Sequence, residues 1–274
     1  LYGDAVNNFE EARSIWGKIY TGSHPSKGFV AYNLGLTYRA MGNAQAARGY
    51  YEQALNELEA SYGNRHPELA RVWNSLGELH LFQSQFDSSV LAYHRGIVAN
   101  VEGFNTTRVD INPPTTQFDD GSVLLNSLNG KALALEERHF GKSLKQRDLD
   151  ASLSALQTAD TLIDRLRQQI NLDTDKINLS TNAQLVYGNA VRVCYQLSLT
   201  ALKNRKHYAE MAFYFAEKSK SAVLQDAIAE SNAKSFANIP ESLLREELEL
   251  KAGLALVAQK LAQKPDPSAE QALR

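Results

Sequence analysis

One cysteine, six histidines and 31 carboxylates are the groups in this 274-residue chain whose types could do chemistry. Cys194 sits in Val191-Arg192-Val193-Cys194-Tyr195, inside an apolar stretch at helical spacing. A nucleophilic thiol needs a lowered pKa and a base beside it. Apolar neighbours supply neither, so Cys194 reads as a buried structural residue. His24, His66, His80, His94, His139 and His207 show no zinc spacing, and no Cys-x-x-Cys pair exists. Gly141-Lys142-Ser143 has the ending of a phosphate-binding loop, but Glu136 stands where the leading glycine is required and no strand precedes it. Asp119-Asp120-Gly121 lacks the ligand spacing of a calcium loop and suits a helix cap. Acid–base neighbours such as Glu217 with Lys218 and Lys220 read as solvated helix faces, and no carboxylate pair stands out for acid–base work. The sequence therefore assigns no catalytic residue, no metal ligand and no cofactor.

Binding is the remaining kind of chemistry, and it depends on the elements that would position it. The chain overlays on itself at an offset of 42 residues. His24-Pro25 recurs as His66-Pro67, and Leu34-Gly35 as Leu76-Gly77. Ala47, Tyr51 and Ala54 recur as Ser89, Tyr93 and Gly96, and the same step backwards lands on Ala5, Phe9 and Ala12. A period of this size marks stacked supersecondary units, each burying its face against its neighbours. His80 falls where Tyr38 stands, so it reads as a packed helix residue.

Apolar residues at helical spacing predict helices over 2–21, 26–41, 44–62, 68–83 and 86–101. His-Pro starts two of them, since proline suits a first turn whose N–H is unsatisfied anyway. Residues 102–120, with Pro113-Pro114 and β-branched neighbours, predict a long loop insertion. Beyond it, helices are expected near 121–139, 148–170, 178–203 and 207–235, with the small–large–small signature returning as Ser152, Leu156, Ala159 and as Ala209, Phe213, Ala216. A final helix over 239–263 carries Leu243, Leu250, Leu254, Val257 and Leu261, and Lys264-Pro265-Asp266-Pro267 ends it. The expected organisation is thus regular repeats over 1–101, the loop at 102–120, divergent helix pairs over 121–238, and a C-terminal helix and linker over 239–274. The fold class is all-α: a right-handed α-solenoid whose last two pairs are lengthened.

Hydrophobic residues make up 43% of the chain and charged ones 22%, which suits a core-forming protein. With a net charge of −2, no basic field exists to attract phosphate backbones, so nucleic acid is not expected as a partner. The longest apolar runs, such as Gly253 to Ala258, are too short to span a membrane. A single cysteine fits a reducing compartment and predicts a cytoplasmic protein. The chain opens inside a repeat at Leu1, so the native N-terminus is expected to be missing, which leaves a signal or anchor ahead of it open.

The regular half resembles the tetratricopeptide repeat (TPR), in the long 42-residue variety of kinesin light chains with their His-Pro punctuation. The later half resembles bacterial, Bacteroidetes-type proteins that carry such repeats ahead of a CHAT domain. That likeness rests on Asn112-Pro113-Pro114, on Leu124 to Ala132, on Thr158 to Asp164, and above all on Phe215 to Leu224 and Ala233 to Pro240. It implies that a caspase-like CHAT domain follows in cis and that this chain is its sensing or docking half. No residue matches that domain's His–Cys dyad.

In repeats of this kind the concave groove is lined by the first helix of each pair. Counting from Gly35 and Gly77, the groove-facing residues are expected to be Phe29, Tyr32, Asn33, Leu36 and Arg39, then Arg71, Asn74, Ser75, Glu78 and Phe82. Aromatics, amides and charges together suit a peptide or protein ligand. The carboxylate-clamp positions of chaperone-binding members read Tyr32, Leu36 and Ser75, so a chaperone tail is not expected. Three readings remain: a groove that binds a foreign peptide or holds the protein's own loop, a self-assembly module making homo-oligomers, or a cryptic active site within 102–147.

Overall fold

The computed structural model describes residues 2–169 and 173–236, with 243, 245, 246, 249, 250 and 253; of 173–177 and 221–236 it describes the backbone alone. The chain divides into two units, Leu1–Gln225 and Asp226–Arg274. In the second unit the last six of those positions are helical. The remainder of the expected 239–263 helix lies outside the described residues.

Helices follow one another as α1 (Tyr2–Ile19), α2 (Pro25–Ala40), α3 (Ala44–Tyr62), α4 (Pro67–Phe82), α5 (Phe86–Asn100), α6 (Gly121–Arg138), α7 (Gln146–Gln169), α8 (Asp173–Thr200) and α9 (Arg205–Phe236). A π-helical turn, His139–Ser143, ends α6 and had no sequence expectation; Leu144 leaves it in the left-handed region at φ 50°. No strand occurs among the described residues, only an isolated bridge between Val101 and Phe118.

The His-Pro punctuation has a double physical role. His24 and His66 are N-caps whose Nδ1 accepts the N–H of Ser26 and of Glu68, each at 3.2 Å. Accepting at Nδ1 leaves the proton on Nε2. Each ring also stacks on a tyrosine at the end of the helix before it, Tyr20 just past α1 at 3.5 Å and Tyr62, the last residue of α3, at 3.8 Å between centroids. One imidazole thus caps the new helix and packs on the last.

The two helices of a pair interlock where glycine meets tyrosine. A Cβ on Gly35 would stand 2.5 Å from the Tyr51 ring, and one on Gly77 would stand 2.8 Å from Tyr93. Tyr93 is held from the other side by Gly130 of α6, whose Cβ would come within 2.1 Å. The small–large–small signature is therefore a seat for a large side chain, and Ala47, Tyr51 and Ala54 are all fully buried. In the lengthened half, Ser152, Leu156 and Ala159 are buried in the same way. The last expected signature needs correction: Phe213 is 68% exposed, and the buried aromatic of α9 is Phe215. The face of α9 that packs inward carries Tyr208, Met211, Ala212 and Phe215, a spacing that leaves Phe213 pointing outward.

Candidate protein-binding surface

The first helix of each pair, α2, α4 and α6, packs along its successors, and this row positions the ten groove residues. Phe29, Tyr32 and Leu36 are half-buried against the core of the regular repeats. Asn33 donates to the carbonyl of Phe29 at 2.8 Å, within its own helix. Tyr32 and Ser75 share a hydrogen bond of 3.2 Å between α2 and α4. Asn74 is buried at the α4–α6 contact, donating to the Val123 carbonyl at 3.4 Å and accepting from Ser127 at 2.8 Å. Arg71 pairs with Asp120, the N-cap of α6, at 2.7 Å. Seven of the ten are thus engaged within the helices or in their stacking.

The other three converge. Arg39 ends α2, Glu78 and Phe82 lie a turn apart on α4, and all three line one cleft of about 330 Å³ with Gly42, Ala44 and Leu79. Gly42 lets the chain turn there, at φ 77°, where a side chain would be strained. Arg39 and Glu78 form an ion pair across the helices. Phe82 is 86% exposed. An aromatic ring in water beside a charge pair is an anchor without a partner, and aromatics with Arg are the groups that dominate protein interfaces. Tyr51 lies beneath, and burial pushes its hydroxyl up to about 12, so it stays protonated and neutral.

Two groups with catalytic potential are held by packing. Cys194 is fully buried, and burial raises its thiol to about 12, far from a reactive thiolate. His80 is half-buried and shares a hydrogen bond with Gln85 at 2.7 Å. Among the described residues no group of three or more His, Cys, Asp or Glu could hold a metal ion. No described helix is long and apolar enough to cross a membrane.

The structure adds a residue the sequence did not single out, Lys131, which is completely buried in α6. The signal existed in the hydrogen bonds of the repeat rather than in its spacing. Ser89 donates to the carbonyl of Gly77, and Ser152 donates to that of Ala132, each at 2.8 Å. Ala132 therefore answers to Gly77, and Lys131 to the buried Leu76.

The insertion does not occupy the cleft. None of its residues lines that cleft; the insertion is held by His94 of α5, Lys131 of α6 and Ser154 of α7, and at its ends Arg65 pairs with Glu102 and Asp119 and Arg71 with Asp120.

Comparison with known proteins agrees with the repeat fold. The tetratricopeptide repeat family model matches residues 1–59 and 29–97. Among solved structures, the chain is similar to the nearly identical TPR-like repeats of a Podosopora anserina protein described as a kinesin light chain, at 14% identity and a TM-score of 0.50, over 81% of this chain and 86% of that one. A form of those repeats with one glutamine replaced by methionine matches at a TM-score of 0.51, with the same identity and coverage. No curated protein matches the chain. The first 97 residues carry tetratricopeptide repeats, and the chain has the all-α repeat fold of a TPR-like solenoid.

Proposed function

We propose that this chain is a non-enzymatic protein-interaction module that takes a peptide segment of a partner in the cleft between α2 and α4. One observation carries the reading: Arg39, Glu78 and Phe82 converge there from successive repeats, with the ring of Phe82 in water. The ring offers an apolar anchor, and the ion pair can open to meet a carboxylate and an amine on the ligand. By its likeness to TPR–CHAT proteins, occupation of this surface regulates a caspase-like domain that follows in cis. Selection of a displayed peptide library against the wild-type chain tests the reading. Enriched peptides should lose at least tenfold in affinity on Phe82→Ala with Arg39→Ala. Retention of affinity by that variant, with its helical signal intact, would overturn it.

A second reading, self-assembly, draws on another surface. Tyr195 and Leu199 on α8 and Leu202 after it follow one another at helical spacing, and each is more than half exposed. An apolar stripe of this kind suits a second copy of the chain. Light scattering should then give a multiple of 30.4 kDa that Leu199→Glu reduces to the monomer.

A further inference from the structure

The insertion between α5 and α6 is built as a strap. Its ends are tied together, with the Glu102 N–H on the Gln117 carbonyl at 3.2 Å and the Asp119 N–H on the Asn100 carbonyl at 3.0 Å. Between them the chain crosses three helices, and a side chain from each holds it. His94 of α5 hydrogen-bonds the Thr106 carbonyl at 2.7 Å. Lys131 of α6 donates to the Ile111 carbonyl at 3.2 Å. Ser154 of α7 accepts from the Asn112 side chain at 3.1 Å. Val109 and Phe104 add apolar grip, Val109 against Leu135 and Ala151, and Phe104 edge-on to the His94 ring.

Two of the three fasteners are ionisable and lie out of water, Lys131 at 0% and His94 at 2% exposure. Both hold carbonyls, which need a donor but not a charge. His94 donates from Nε2, and its Nδ1 is buried with no hydrogen-bond partner, so a proton added there would be an uncompensated buried charge. Lys131 stands where the regular repeat buries a leucine, a position with no provision for an ammonium. We propose that residues 102–120 form a proton-released latch, seated on α5 to α7 while Lys131 and His94 are neutral and lifted from them when the two take up protons.

Burial pulls Lys131 down to about 7, with Asp110 opposing only weakly. Burial likewise lowers His94; its hydrogen bond to Thr106 opposes this, and the nearby Lys131 adds to the lowering. The surrounding charges are engaged elsewhere or lie in water. On the strap, Asp110 is paired with Arg108. On α6 and α7, Arg138 holds Asp148, Arg192 holds Glu136, and Asp150 accepts from Tyr208. Arg147 is exposed, 3.9 Å from Asp148. On α3 and α5, Glu52 is paired with Arg48, Arg95 lies over the Trp73 ring at 4.8 Å, and Glu59 lines the open crevice beside the strap.

The sign follows from linkage. Once lifted, the two groups regain ordinary values near 10.5 and 6.5, so the open form binds more protons and acid favours it. Between pH 10 and 7 the opening constant should rise about tenfold for each unit of acidification, through Lys131. Below about pH 6.5 a second rise follows, through His94. Lifting uncovers the part of the Val90, Tyr93, Ala134 and Leu135 cluster that Val109 now packs against, so the latch controls an apolar surface.

Amide hydrogen exchange of the intact chain over residues 103–112, corrected for the intrinsic pH dependence of exchange, tests the latch. Opening should rise tenfold per unit from pH 9 to 7 in the wild type. Lys131→Met should slow opening and flatten that slope, and His94→Gln, which keeps a donor without a charge, should remove the acid rise alone. A wild-type opening constant independent of pH, or a slope that survives Lys131→Met, would overturn the proposal. Should that variant not fold, the 13Cε shift of Lys131 in the wild type decides: titration near 7 supports the latch, and titration near 10.5 refutes it.

Discussion

The regular repeats and the lengthened ones stack by the same interlock but spend their polar groups differently. Between α2 and α5, ion pairs such as Arg39–Glu78 and Arg48–Glu52 lie at the surface, where a pair contributes about 0–1 kcal/mol. From α6 onward several pairs sink inward, while others such as Lys206–Glu210 and Lys220–Glu217 stay at the surface. Asp148, 2% exposed, accepts from Arg138 at 2.7 Å and Ser143 at 2.5 Å. The equally buried Glu136 takes two hydrogen bonds of 2.6 Å from Arg192. Asp160 meets Tyr214 at 2.8 Å and Lys218 at 3.2 Å. A repeat of fixed length can be specified by shape alone. Once its helices lengthen, buried pairs that cross between helices, Arg138–Asp148, Arg192–Glu136 and Lys218–Asp160, add a preference for one register along the stack.

The largest effect that would test this contrast is the pH dependence of Lys131. Its value is near 7 in the folded chain and near 10.5 when unfolded, so the unfolded chain binds the extra proton between those limits. Stability should therefore rise with pH across this window, by about 4 kcal/mol from pH 7 to 10 through this group alone. Lys131→Leu, which restores the residue of the regular repeats, should remove that rise and stabilise the protein most at pH 7. Urea unfolding at pH 7, 8 and 9 measures it, and equal slopes in both proteins would break the assignment.

Next in size is Asp148→Ala, which removes the buried partner of Arg138 and leaves that largely buried arginine only the exposed Asp87. The expected loss is about 3 kcal/mol, against less than about 0.5 kcal/mol for Glu52→Ala on the exposed face of α3. Denaturant midpoints of the two variants compare the halves directly, and equal losses would show that burial of the pairs is incidental.

How much of this could be read beforehand follows the same division. The helix starts at Pro25 and Pro67, the seats at Gly35 and Gly77, and the partners Tyr51 and Tyr93 are local patterns repeated at a constant offset, so the sequence carries them openly. The cleft was half legible. Arg39, Glu78 and Phe82 were among the ten expected residues, but spacing along one helix could not say that Asn74 would be claimed by Val123 and Ser127 of α6, beyond the insertion. Lys131 stayed hidden because lengthening breaks the offset, and a lysine in an amphipathic helix normally reads as a solvated residue. Phe213 was misread for Phe215 because two aromatics two residues apart fit one seat equally well in one dimension.

A subtler comparison lies within the interlock itself. Gly130→Ala should cost about 2 kcal/mol, because its Cβ meets the rigid Tyr93 ring, itself pinned by Gly77. Gly49, with nothing near its Cβ, should instead gain from the change to alanine, by about 1 kcal/mol of helix propensity. Thermal unfolding of the two variants gives opposite signs, and adding Tyr93→Leu to Gly130→Ala should recover part of the loss.

The smallest stability effect belongs to the residue with the largest expected role in binding. Arg39→Ala breaks an ion pair whose partners are both over a third exposed, so the folded chain should lose less than about 1 kcal/mol. Phe82→Ala removes a ring that is already in water and should be close to neutral. Residues that stabilise nothing and yet converge on one cleft from successive repeats are those a packing argument cannot explain. If both variants keep their unfolding midpoints while ligand affinity falls, the cleft is a binding feature laid over the repeat. If the variants lose about 2 kcal/mol or more, Arg39 and Phe82 belong to the stacking machinery with Tyr32, Asn74 and Ser75, and the binding face must be sought along the lengthened half.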